Sequence, residues 1–310
     1  MSSPVTLGDG ASAIPDGSHP VQLLLQGALR PRVNTPSLIL LTVHKCASAY
    51  VAYHLARVAQ SAGIIPIDFD TVVYEYTDSV IAPYVSLGFL EAFRGKRTAL
   101  SEPVRQEIER RIPARGFFYG AIRATPFFHH LPHFDRFRAV LMMRDPRDVL
   151  TSLFFSVAFS HGVPTGAENV RQQFLAARQK ARQQGIDQYV LEFTPTYLQT
   201  YTGYCREVLG RENALLVKYE DMIRDFRAWL EQVLTFWGLP TNTRTVARVV
   251  RDADFSVSLE NPHSHKRQVQ AGDHQRKLQP ATIRKLDEAF GDVLDALGYP
   301  RSSATGRDAA

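Results

Sequence analysis

Five short apolar runs constrain the fold of this chain more than any other feature: SLILLTV (37–43), GIIPIDF (63–69), GFFYGAI (116–122), FRAVLMM (137–143) and ALLVKY (214–219). None shows the strict apolar–polar alternation of a strand with one wet face, so each reads as a strand buried on both sides. Longer patterns with helical periodicity lie around them, at 46–62, 103–111, 146–160, 168–184, 195–210, 221–237, 243–252 and 280–297. Strands alternating with helices predict βαβ crossovers. The expected architecture is a three-layer α/β fold, a central and mainly parallel sheet of about five strands flanked by helices. In such sheets ligands collect at the carboxyl ends of the strands, so the chemistry is to be sought where each apolar run stops.

The 310 residues suffice for one large domain, and the strand–helix pattern confines it to 37–299. Residues 1–36 are rich in Gly, Pro and Ser, which predicts a flexible segment partly docked through VQLLLQGALR, and 300–310 reads as a disordered tail. The net charge of +5 suits an anionic small ligand and is too small to imply nucleic acid. Two cysteines make no disulfide framework and point to a reducing compartment. The opening residues lack the blocks of a signal peptide, and the longest apolar stretch, around VLTSLFFSVAFSHGV, is too short to span a bilayer. A cytoplasmic protein is expected, with a homodimer left open.

The first run feeds into HKCASAY (44–50). A strand, a tight loop of small residues and a helix start aim several backbone N–H groups and a helix dipole at one point, which makes an anion cradle. Lys45 adds a full charge, Ser48 a hydroxyl at the helix start, and Tyr50 a ring on which a base can stack. The lysine precedes the small residues, so this is not the GxxxxGK[ST] phosphate loop. The bland alternative is a helix capped by Ser48 beside a solvated lysine.

The fourth run ends in RDPRDVLTS (144–152). Asp145 is placed to cap the next helix, with Pro146 at its first position. Arg144 at the strand end and Ser152 on the helix can then converge on one phosphate, the guanidinium gripping it as a fork. The alternative is an Arg144–Asp148 surface pair with Ser152 bonded to its own backbone.

Together the two segments resemble the sulfotransferases that use 3′-phosphoadenylyl sulfate (PAPS) and release 3′-phosphoadenosine 5′-phosphate (PAP). That family has a P-loop-like α/β fold. It carries a lysine followed by small residues after the first strand, and an Arg-Asp-Pro with a serine eight positions beyond the arginine. The resemblance implies that Lys45, Cys46, Ala47, Ser48, Ala49 and Tyr50 hold the 5′-phosphosulfate end, and Arg144 with Ser152 the 3′-phosphate. LLVKYEDMIRDF is similar to the family's strand ending in Tyr-Glu-Asp, which brings Tyr219 to the adenine. FSVSLENPHSHKRQVQAGDHQRKL is similar to its late loop, with Phe255 flanking the base, Arg267 closing on the 3′-phosphate and Lys266 beside it among the residues that bind the cofactor. Here the chain departs from the usual Arg-Lys-Gly, reading Arg267, Gln268, Val269.

The resemblance further implies a sulfuryl transfer from PAPS to a hydroxyl or amine of a small-molecule, lipid or glycan acceptor, with Lys45 stabilising the leaving phosphate. Arg123, in a segment resembling the Lys-(Ser/Thr)-Pro element of glycan-directed relatives, is the second cation. The histidine that many small-molecule sulfotransferases use as base is replaced by Thr125. Relatives with a carboxylate base place it after the second strand, where this chain has Asp68 and Asp70; His130 and His129 are alternatives. No metal is expected, since the sequence shows no clustered set of ligands. The basic stretch with Arg171, Arg178, Lys180 and Arg182 reads as a solvated helix face, or else as a surface for an anionic acceptor. Two other functions compete: a P-loop nucleotide kinase or ATPase, disfavoured by the absence of a lysine after a glycine-rich loop, and a non-catalytic adenine-nucleotide-binding module.

Overall fold

The computed structural model describes residues 20–69, 82–93, 100–123, 127–164, 168–257, 259–264 and 266–302. All five apolar runs form strands: β1 Leu38–Thr42, β2 Ile65–Ile67, β3 Phe117–Arg123, β4 Arg138–Met143 and β5 Ala214–Lys218. They make one sheet in the order β2-β3-β1-β4-β5, and every pairing is parallel. All of β1 is buried, and Leu38 to Leu41 are at most 1% exposed. Burying a leucine or isoleucine side chain contributes about 1.5–3 kcal/mol, which is why the central strand tolerates no polar alternation.

The strand order places the ligand crevice. From β1 the chain crosses towards β2 and β3, whereas from β4 it crosses the other way to β5. Neighbouring strands whose connections leave in opposite directions open a cleft at their carboxyl ends. Those two strands are β1 and β4, which run in register from Leu38 opposite Arg138 to Thr42 opposite Met142. The lysine and arginine motifs follow these strands.

The helices differ from the sequence reading in instructive ways. The expected helix 146–160 is α-helical over Pro146–Phe155 and widens to a π turn over Ser156–Ser160. The expected segment 168–184 is a helix that ends at Gly185, where φ is 75°, and a second helix runs from there to Glu207, starting earlier than the expected 195–210. Pro195 lies inside it because burial of Tyr189, Val190 and Thr194 offsets the proline's cost of about 3 kcal/mol. Asp225 breaks the stretch 221–237 into Tyr219–Arg224 and Phe226–Trp237 by accepting a hydrogen bond from the Ala228 N–H at 3.0 Å. The stretch 280–297 is likewise two helices, Pro280–Ala289 and Gly291–Leu297. The segment FFHHLP carries a 3-10 turn, Phe128–His130, with His129 buried. In the N-terminal segment, the helix Pro20–Leu25 sends Val21, Leu24 and Leu25 into the main core. Among the described residues no helix is long and apolar enough to cross a membrane.

Candidate active site

The loop after β1 turns through two left-handed residues that are not glycine, Lys45 at φ 69° and Ala47 at φ 55°. Such conformations cost of order 1–3 kcal/mol each and persist at sites where the surrounding fold demands them. Ala47 is the N-cap of the helix Ser48–Ser61, and no side chain caps it. Ser48 therefore does not act as a cap, and the amides of the first turn point out of a curled loop, the geometry of an anion nest.

The second turn touches the first. Arg144 Nη1 donates to the Lys45 carbonyl oxygen at 2.9 Å, so the motifs on β1 and β4 form one structure. The Arg144 guanidinium lies over the Tyr219 ring, 4.3 Å from its centroid, because Met143 and Lys218 are register partners and the next residues sit level. Arg144 is 4% exposed, and its Nε has no hydrogen-bond partner among the described residues. A buried guanidinium edge without an acceptor costs about 1–3 kcal/mol, and an anion would satisfy it. Ser152 lies half-buried two turns into the following helix. The backbone bond considered for Ser152 belongs to its neighbour, since Thr151 Oγ1 donates to the Arg147 carbonyl at 2.8 Å.

As the sequence implied, Asp145 caps this helix, accepting from the Arg147 N–H at 2.9 Å, with Pro146 first. Arg147, 1% exposed, also binds the Asp145 carboxylate and reaches Asp287 and the Pro300 carbonyl, tying the C-terminal helices to the site. Asp148 is not the surface partner of Arg144. It is fully buried and accepts from the Gly272 N–H (2.7 Å), the His274 N–H (2.9 Å) and His274 Nδ1 (2.6 Å). Gly272 meets it through a positive φ of 72°, a conformation that favours glycine. Burial pushes the Asp148 carboxyl up, but the His274 hydrogen bond and the Arg144 charge prevail and hold it at about 2.

Four cations act on one another here. Burial, and then the charges of Arg144, Arg123 and Arg267, bring the Lys45 ammonium down to about 8. Its Nζ donates to Ser156 Oγ at 2.9 Å. Arg123 closes β3 in register with Thr42 on β1, which sets it at the same edge. Arg267 stacks on Phe155 (4.1 Å) and is gripped by Glu260 and Asp273, so its charge is already partly matched. Tyr50 and Phe255 meet edge to face at 5.4 Å, with Phe226 at 5.2 Å from Phe255, forming an aromatic lip beside the loop. The Tyr50 hydroxyl accepts from the Asp254 N–H at 2.9 Å, and Lys266 holds the Asp254 carboxylate at 2.8 Å. Cys46 is fully buried, its thiol pushed up to about 12 by that burial, and Ala49 is exposed.

The candidate bases that are described lie away from the lysine loop. Asp68 is exposed just beyond β2, and β3 lies between β2 and β1, so at about 4.8 Å per strand it is roughly 10 Å across the sheet from the lysine loop. Asp70 and Thr125 lie outside the described residues. His130 and His129 both face Glu207. Two residues at the site were missed. His44 is held neutral, down to about 4, by burial and then by Arg123, Lys45 and His161. Ser156, the lysine's partner, sits 111 positions away on the π turn, and no local spacing announces it. The basic stretch divides: Arg171 and Lys180 are exposed and pair with Glu168 and Glu192 on the helix surface, whereas Arg178 and Arg182 donate to the Val157 and Ala158 carbonyls at 3.0 and 2.7 Å, bracing the turn that carries Ser156.

Comparison with known proteins bears on the family and the fold. Sulfotransferase 2B1 of Rattus norvegicus is 27% identical over 130 residues, 41% of this chain and 34% of the relative, so the match spans about a third of that protein's length. Mouse sulfotransferase SULT7A1 complexed with PAP superposes with a TM-score of 0.52 at 15% identity, over 89% of each chain. Retinol dehydratase in complex with retinol and PAP gives 0.46 at 15% identity, over 88% of this chain and 84% of that one. The sulfotransferase domain profile matches residues 125–298, more than half of the chain, and the protein belongs to that family.

Proposed function

We propose that the protein transfers a sulfuryl group from PAPS to a hydroxyl or amine of a small-molecule, lipid or glycan acceptor. The observation that carries this reading is Arg144: a buried guanidinium whose Nε is unmatched among the described residues, bonded to the lysine loop across the β1–β4 crevice. Membership of the sulfotransferase family and a fold like that of a PAP-bound sulfotransferase support it. The residues fit the nucleotide. The uncapped amides at 46–48 and Lys45 suit the 5′-phosphosulfate, Arg144 and Ser152 the 3′-phosphate, and Tyr50, Phe255 and Tyr219 the base.

In this reading the chain's groups work by charge and position. In-line transfer concentrates negative charge on the bridging oxygen as the sulfuryl group leaves, and the Lys45 ammonium stabilises it there. Arg123, level with Thr42, steadies the equatorial oxygens. Ser156 orients the lysine. For the acceptor's proton His44 is the base adjacent to Lys45 in the chain, and its neutral imidazole is able to accept; Asp70 is the alternative.

The test uses labelled PAPS with a panel of phenols, steroid alcohols and sulfatable glycans, comparing wild type with Lys45→Ala. The expected result is PAP release coupled to acceptor sulfation, reduced about two to three orders of magnitude in the variant. Near-wild-type turnover without Lys45 would remove the assigned chemistry.

A further inference from the structure

We infer that His129, His130 and Glu207 form a binding site for a divalent transition-metal ion, separate from the nucleotide crevice. The sequence shows no clustered ligand set because the partners are 77 positions apart, and folding brings them together. His129 and His130 lie on the 3-10 turn between β3 and β4, and Glu207 ends the helix Glu168–Glu207. One donor atom from each lies within 4.8 Å of the other two.

Both imidazoles bring Nε2 to the same carboxylate oxygen: His129 Nε2 lies 3.2 Å from Glu207 Oε2, and His130 Nε2 contacts that oxygen too. A single hydrogen-bonded histidine–glutamate pair does not require a second Nε2 at the same oxygen. Zinc bonded at about 2.0–2.1 Å to nitrogen and oxygen separates tetrahedral donors by roughly 3.3 Å, close to the 3.2 Å His129 contact, whereas the His130 ring sits nearer the carboxylate and would draw back as the ion enters. Imidazole and carboxylate donors suit zinc and its neighbours better than calcium or magnesium, which prefer all-oxygen sites.

The surroundings orient the donors. Arg206 Nη2 binds the other carboxylate oxygen, Glu207 Oε1, at 2.6 Å, while both imidazoles meet Oε2. The His129 ring packs on Tyr204, 5.1 Å between centroids, one turn before Glu207. The side chains of His129 and Glu207 are 7% and 15% exposed and that of His130 is 31%, so the cluster is covered on one side and open at His130. Three protein donors leave a position for water or a further ligand there.

A metal here would clamp the β3–β4 connection to the helix that braces the nucleotide crevice. Tyr201 and Tyr204 of that helix donate to the Arg144 carbonyl at 2.7 Å and the Thr42 carbonyl at 3.2 Å. The site is therefore assigned a structural role, fixing the helix behind both phosphate-gripping turns.

The test is equilibrium dialysis of the full chain against Zn²⁺ alone, with bound metal counted by atomic emission. Wild type is expected to hold one zinc more than His130→Ala and Glu207→Gln, the second chosen because it keeps the side-chain shape. Zinc at about a hundredfold excess over its Kd should raise the wild-type Tm by roughly 5 °C. X-ray absorption at the zinc edge of the wild-type protein supplies a readout independent of any variant, and should show two imidazoles and oxygen but no sulfur. Equal zinc in wild type and variants, no stoichiometric zinc in wild type, or a sulfur ligand would each overturn the assignment.

Discussion

Replacing Asp148 by asparagine tests how the late loop is held, and its cost follows from two separate considerations. The carboxyl is held from 3.8 down to about 2, a difference worth about 2 kcal/mol between its ionised and protonated forms. The hydrogen bonds give a similar figure. Three donors, the Gly272 and His274 N–H groups and His274 Nδ1, converge on two acceptor oxygens. An asparagine turns one of those oxygens into a donor, leaving at least one buried N–H unmatched at about 1–3 kcal/mol. At about 2–4 °C per kcal/mol, Asp148→Asn is expected to lower the Tm by roughly 4–8 °C, read by calorimetry at matched scan rates. The pH dependence fixes the cause. A carboxyl with a depressed folded value contributes stability that is complete above 3.8 and lost as pH falls through about 2. The gap between wild type and variant should thus stay constant from pH 8 to pH 5 and close only between about pH 4 and pH 2. A Tm within 1 °C of wild type at pH 7, or a gap already closed at pH 5, would refute the reasoning.

Two further outcomes are expected. Lys45 is held at about 8, so kcat/KM should fall as pH rises through that value and the ammonium is lost; Lys45→Arg should push the falling limb upward, and a profile flat to pH 10 would count against the role. Tyr201→Phe removes the donor to the buried Arg144 carbonyl and should cost about 1–2 kcal/mol, seen as a lower denaturant midpoint; an unchanged midpoint would mean the bond contributes nothing.

What the sequence made legible was local. The strands were readable because each is a continuous apolar run, and the β1–β4 crevice because its two motifs follow those runs directly. Asp145 and Pro146 announced their helix start in the same way. What remained hidden depends on distant partners. Asp148 looked like a surface mate for Arg144 until the Gly272 turn, 124 positions on, covered it. Arg178 and Arg182 looked like part of a solvated face because the carbonyls they bind belong to a π turn that has no sequence signature. His129 and His130 stood only as alternative bases because Glu207, which gathers them, enters from another helix.

The central claim is that two turns of one sheet edge grip opposite ends of the same nucleotide, with Arg144 reading the 3′-phosphate. Titration calorimetry of PAP and of 5′-AMP into wild type and Arg144→Ala tests it most directly. Wild type should prefer PAP, and the variant should lose about 10- to 100-fold in PAP affinity with little change for 5′-AMP, the range set by one charge-assisted hydrogen-bonded contact. Equal losses for both ligands, or no preference for PAP in wild type, would contradict the account.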